Sequence, residues 1–165
     1  MEDLGFPDLH HVRAAEGWLE LGDAIEAARE LNTLSEPARG HPDVLELCWR
    51  LHAMRGDWDA ALAVARTLTR SMPERASGWI HQSYCLHEMK RTEEAWRLLR
   101  PAAELFPDET TIAYNLACYA CQLGELAAAK EWLQRAARKQ GRGPVRLMGM
   151  DDPDLVPLRA FLTEW

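Results

Sequence analysis

Thr110–Arg138 reads TTIAYNLACYACQLGELAAAKEWLQRAAR. Within it Ala113, Leu116, Ala117 and Ala120 recur three and four residues apart. Leu123-Gly124-Glu125 then interrupts the pattern, and Leu126, Ala129, Leu133, Ala136 and Ala137 resume it. This is the signature of two amphipathic helices joined by a tight glycine turn. One such hairpin cannot bury its own apolar face, so it requires neighbours of the same build. A shift of 34 residues toward the N-terminus finds them. Gly124 falls on Lys90, Gly56 and Gly22; Ala129 falls on Ala95, Ala61 and Ala27; Leu133 falls on Leu99, Ala65 and Leu31. Four copies share one register, which predicts an all-α array of about four antiparallel helical hairpins.

The 165 residues are 47% hydrophobic and 27% charged, a balance that suits one globular domain with a real core. The acidic start Met1-Glu2-Asp3 has no apolar run behind it, which argues against a secretory signal. No stretch approaches 18 apolar residues, so no membrane span is expected. Cys48, Cys85, Cys118 and Cys121 read as reduced thiols of a cytoplasmic protein. A net charge of −7 disfavours nucleic acid as a partner. The charge is uneven: residues 1–41 hold three basic and nine acidic groups, whereas residues 110–143 hold five basic and two acidic ones.

Taken in order, the repeats fall at about 8–41, 42–75, 76–109 and 110–143. The first helix is expected to start near Asp8 as its cap and to run to Leu21, and its partner to follow Gly22-Asp23. Glu36–His41 reads as a loop, and Pro42 with Asp43 as the first turn of the second copy. In the third copy Thr92 is the expected cap, and Pro101 sits inside the return helix, where it should cost a hydrogen bond. Gly141-Arg142-Gly143-Pro144 ends the array. Residues 144–165 then read as a linker and a capping helix, with Asp152 as cap and Leu155, Leu158, Phe161, Leu162 and Trp165 as the apolar stripe covering the open end, Leu126, Leu133 and Ala137 among it.

The register resembles the tetratricopeptide repeat (TPR). Leu116-Ala117, Tyr119, Gly124-Glu125, Ala129, Leu133 and Ala136 carry the resemblance in the fourth copy. Trp79, Ser83, Leu86, Ala95, Leu99, Ala102 and Pro107 carry it in the third, and Gly56-Asp57, Ala61 and Pro73 in the second. The likeness implies a right-handed superhelical α-solenoid with a C-terminal capping helix, whose first helices line a concave groove for an extended peptide or a partner's helix. On this chain that face presents Glu46, Arg50, Ser77, Ile80, His81, Tyr84 and His87, then Thr111, Tyr114, Asn115, Cys118, Cys121 and Gln122. Tyr84, Tyr114 and Asn115 are the expected anchors. The lysine, asparagine and arginine clamp by which chaperone-docking members hold a C-terminal carboxylate is missing: the corresponding places hold Val12, Glu16, Leu47, Ser77 and His81, or Glu46, Arg50, His81, Thr111 and Asn115.

Catalytic and metal chemistry find little support. Cys118 and Cys121 stand three apart on one helix, and Cys85, His81 or His87 could approach them, but no second pair of zinc spacing exists. Small thiols are common in helix packing, so no metal is expected. His10-His11 reads as a solvated pair. Gly141-Arg142-Gly143 lacks the lysine and hydroxyl residue of a phosphate loop. Glu93-Glu94 and Asp151-Asp152 suit helix starts. The expectation is a non-catalytic scaffold without cofactor that binds a protein or peptide. The alternatives are a bacterial secretion-type chaperone holding an exported subunit, and a thiol- or metal-dependent protein using the cysteine cluster.

Overall fold

The computed structural model describes residues 4–165. Among them are eleven α-helices, one 3₁₀ segment and no strand. The first unit ends at Cys85 and the second spans Leu86–Trp165. The first holds helices α1 (Asp8–Glu20), α2 (Ala24–Thr33), α3 (Glu36–Arg39), α4 (Pro42–Met54) and α5 (Trp58–Ser71). Helix α6 (Ala76–Glu88) crosses the division. The second holds α7 (Thr92–Leu105), α8 (Thr110–Gln122), α9 (Leu126–Gln140), α10 (Arg142–Asp151), the 3₁₀ segment Pro153–Leu158 and α11 (Arg159–Glu164).

Adjacent helices pair: α1 with α2, α4 with α5, and α8 with α9. The alanine column explains how closely they approach, since Ala27, Ala61, Ala95 and Ala129 are all completely buried. The turn column explains the reversals. Gly22, Gly56 and Gly124 adopt φ of 79°, 68° and 82°, and Lys90 adopts 62° at the equivalent place. The left-handed conformation there lets the chain close the helix end and reverse, as a glycine does at low cost. One residue further on, Asp23 accepts from the Ile25 and Glu26 amides and Asp57 from the Ala60 amide, capping α2 and α5.

Several local expectations are corrected. Pro7, not Asp8, occupies the cap position of α1, and the Asp8 carboxylate instead accepts from the Ser35 amide and hydroxyl at 2.8 and 2.6 Å. Those two bonds hold the Asp8 carboxyl below its ordinary range. Thr92 is the first residue of α7 rather than its cap, and its hydroxyl meets His87 Nδ1 at 3.0 Å. The loop expected at Glu36–His41 contains the short α3, with Pro37 in its first turn. His11 is not merely solvated, because its Nδ1 lies 2.7 Å from Glu30 on α2. Pro101 is accommodated within α7, on the exposed side of the helix.

The tail departs most from expectation. The break at the fourth copy is Gly141 alone, with φ of 89°, and α10 begins at Arg142. Pro144 lies in its first turn, where a missing N–H leaves no bond unmade. Helix α10 packs on α9, and the chain then turns back so that the 3₁₀ segment lies against α8. Val145, Leu155, Leu158 and Leu162 are at most 2% exposed. A Cβ at Gly149 would meet the Leu162 and Leu155 methyls at 3.1 and 3.2 Å, so a larger residue there needs these two leucines to shift by a few tenths of an ångström. Leu126, expected beneath the tail, is half-exposed, whereas Leu133 is fully buried.

Candidate functional site

The expected groove residues divide between the two units and meet different fates. In the first unit, α1 and α4 flank an open groove of about 340 Å³. Val12 and Leu47, both buried, make its floor, and Leu9 stands at its edge. Charged side chains rim it: Arg13 and Glu16 from α1, Asp43, Glu46 and Arg50 from α4. Arg13, Glu16 and Arg50 make no ion pair or hydrogen bond among the described residues. Helical spacing causes the grouping, because residues 9, 12, 13 and 16 share a face of α1, as do 43, 46, 47 and 50 on α4.

Glu46 also joins an aromatic group. His81 Nε2 lies 2.6 Å from Glu46 Oε2, and the imidazole stacks on Trp49 with centroids 3.6 Å apart and planes 10° from parallel. Tyr84, 37% exposed, meets Trp49 and Trp58 edge-on at 6.3 and 5.8 Å. The Trp49 indole N–H points to Cys85 Sγ at 3.3 Å. Burial alone would raise the Glu46 carboxyl. The hydrogen bonds from His81 and Ser77 outweigh it and hold the carboxyl below its ordinary value. Ser77 and Ile80 are half-buried on the same helix. Sequence reasoning did not include Trp49 and Trp58 in this group; their contacts with His81 and Tyr84 run between helices and follow no single-helix spacing.

In the second unit the corresponding face is covered by the chain's own tail. Tyr114 donates to Asp152 Oδ2 at 2.9 Å, and the Cys118 thiol approaches the same oxygen at 3.5 Å. His87 Nε2 lies 2.8 Å from Asp154 Oδ2, and the Gln122 amide donates to the Asp154 carbonyl at 2.9 Å. Asp152 closes the turn by accepting from the Asp154 amide at 2.9 Å. Tyr114 is thus 8% exposed and Cys118 5%. Burial first, then the charges of Asp152 and Asp154, push the Cys118 thiol well above its ordinary range, and burial does the same to Tyr114. Cys121 moves in the same direction. Thr111 remains exposed and Asn115 half-buried.

Within the second unit the Cys118 and Cys121 thiols therefore lie beside the tail carboxylates Asp152 and Asp154. Cys118, Asp152 and Asp154 offer ligand atoms within 4.8 Å of one another. Each is already engaged: the thiol and phenol on Asp152, the imidazole on Asp154. No helix among the described residues is long and apolar enough to cross a membrane.

No protein-family description matches the chain, and no curated protein does. Solved structures do. TTC0263, a thermophilic TPR protein of Thermus thermophilus, superposes over 94% of this chain and 82% of its own, with a TM-score of 0.77 and 17% identity. MamA of Desulfovibrio magneticus RS-1 matches over 98% of this chain and 94% of its own, with a TM-score of 0.72 and 17% identity. MamA of strain AMB-1 matches over 95% and 90%, with a TM-score of 0.66 and 15% identity. Paired helices, the buried alanine column, the left-handed turns and these superpositions together make this a TPR-like, all-α helical-repeat fold.

Proposed function

We propose that the chain is a non-catalytic protein-interaction scaffold, and that the groove between α1 and α4 is where it receives its partner. One observation carries the reading: Arg13, Glu16 and Arg50 stand unpaired around a buried apolar floor. Charged groups without internal partners, next to apolar surface, are the ordinary makings of a polar rim around an apolar anchor. The ligand class is a peptide or helix of a partner protein, with an apolar side chain for Val12 and Leu47. A carboxylate would face Arg13 or Arg50, and a cation Glu16 or Glu46. The TPR-like fold agrees with this reading. Tyr84 is the further anchor in the first unit, while Tyr114, Cys118, Gln122 and His87 serve to hold the tail.

The test uses a peptide selected by display against the whole chain, with affinity measured by calorimetry. Arg13→Glu with Arg50→Glu should weaken it tenfold or more, about 1.4 kcal/mol, while Tyr114→Phe leaves it unchanged. An affinity indifferent to the paired charge reversal would move the binding surface elsewhere.

A further inference from the structure

A cleft of about 550 Å³ in the second unit lies on α7 and α9, lined by none of the groove or tail residues described above. Trp96 and Trp132 meet edge to face in it, with centroids 6.2 Å apart and planes at 86°, so the two indoles form a corner. Arg97, Arg100 and Arg135 line it against the single carboxylate of Glu104. Arg135 lies 5.0 Å from the centre of the Trp132 ring and donates to Glu104 at 3.0 Å. Arg97 pairs with Glu93. Arg100 is exposed and makes no pair among the described residues. A basic, aromatic corner on a chain of net charge −7 calls for an acidic segment that carries a ring.

The same chain presents such a segment. Phe6 is 89% exposed, the most exposed large hydrophobic residue among those described. It is held out from the fold at both ends. Leu4 packs against the core of the first unit, and Asp8 is fixed by its two hydrogen bonds to Ser35. Backbone anchored on both sides of the ring reduces the freedom that the segment loses on binding. Phe6 belongs to the stretch of residues 1–41 with nine acidic and three basic groups, and the cleft's α9 belongs to the stretch 110–143 with two and five. We propose that the Phe6-bearing segment of one copy docks into the Trp96–Trp132 corner of a second copy, so that copies associate head to tail. Phe6 fills the indole corner, and the acidic stretch around it faces Arg97 and Arg100. The two surfaces differ, so the contact is heterologous and can propagate into open chains.

Sedimentation velocity across a concentration series up to about 0.5 mM tests this. The wild-type chain should form dimers and longer species that weaken as salt rises. Phe6→Ala and Arg100→Glu, both at exposed positions, should each weaken association about tenfold or more with unchanged melting. Mixing the two variants is the decisive arm. The Phe6→Ala chain keeps an intact cleft and the Arg100→Glu chain an intact Phe6, so the mixture should form one-to-one pairs and stop there. A wild-type chain that stays monomeric, association that survives both substitutions, or a mixture that fails to pair would each overturn the proposal.

Discussion

Arg50 and Cys118 stand two periods apart at the same place in the repeat, as do Glu46 and Tyr114, yet they belong to opposite kinds of surface. Arg50 and Glu46 rim an open groove in the first unit. Tyr114 and Cys118 lie buried beneath Asp152 in the second. Position on a repeat thus decides which way a side chain points. Whether it meets solvent, a partner or the chain itself depends on what the rest of the sequence lays over it. The tail turns one face into core and leaves the other available.

Removing the tail gives the largest test of that contrast. Deleting residues 152–165 uncovers Tyr114, Cys118 and His87 and removes Leu155, Leu158 and Leu162 from the core. Three buried leucines at roughly 1.5–3 kcal/mol each, less the entropy of ordering the segment, leave a loss of several kcal/mol. The truncated chain should melt lower, and Cys118 should become reactive to a thiol reagent under native conditions. Unchanged melting with a protected Cys118 would mean that the second face is not held shut by the tail.

The two faces should also fail at opposite ends of the pH scale. Glu46 has a depressed folded pKa, so its stabilisation is present above the ordinary value of 4.5 and is lost as pH falls through the folded value. Cys118 has a raised folded pKa. Its contribution is therefore intact below the ordinary thiol value of 9.0 and is lost as pH rises above it, because the unfolded thiol ionises first. Denaturation midpoints measured across pH check both signs. Glu46→Gln should flatten the acid limb alone, and Cys118→Ser the alkaline limb alone. A Cys118→Ser chain that loses stability as steeply as wild type at alkaline pH would separate the thiol from the tail's electrostatics.

The hairpins, the alanine column and the turn positions were legible because each is written locally and then repeated. Spacings of three, four and 34 residues carry them without reference to any distant contact. The tail's return was not. Asp152 meets Tyr114 and Cys118 from 38 and 34 residues away, and His87 meets Asp154 from 67. Such pairs obey no helix period, and Asp152 read alone is only a cap, a role it also fills through the Asp154 amide. The same holds for Asp8, whose place before an apolar helix suggested a cap while Ser35, 27 residues on, claims its carboxylate. Glycine and proline at 141–144 pointed to a linker, yet a proline in a first helical turn breaks nothing. That Glu46 and Arg50 share a face of α4, and Tyr114 and Cys118 a face of α8, was legible from helical spacing. That the tail covers the second pair was not.

The smallest effect lies in the turns, where three copies use glycine and one does not. Lys90 sits at φ 62° where Gly22, Gly56 and Gly124 sit between 68° and 82°. A left-handed conformation costs a residue with a Cβ roughly 1–2 kcal/mol, and glycine avoids that cost. Glycine also enlarges the freedom of the unfolded chain, which gives back about 0.4–1 kcal/mol. Lys90→Gly should therefore stabilise the chain by about 0.5–1 kcal/mol, the difference between the two terms. Gly124→Ala is the mirror experiment. No atom lies within 4 Å of the added methyl, so the same two terms apply with opposite sign, and stability should fall by about 0.5–1 kcal/mol. Denaturant midpoints at an unchanged slope measure both. If Gly124→Ala destabilises while Lys90→Gly does nothing, the Lys90 side chain stabilises the third turn by contacts that offset its backbone strain, and the four turns are held by two different means.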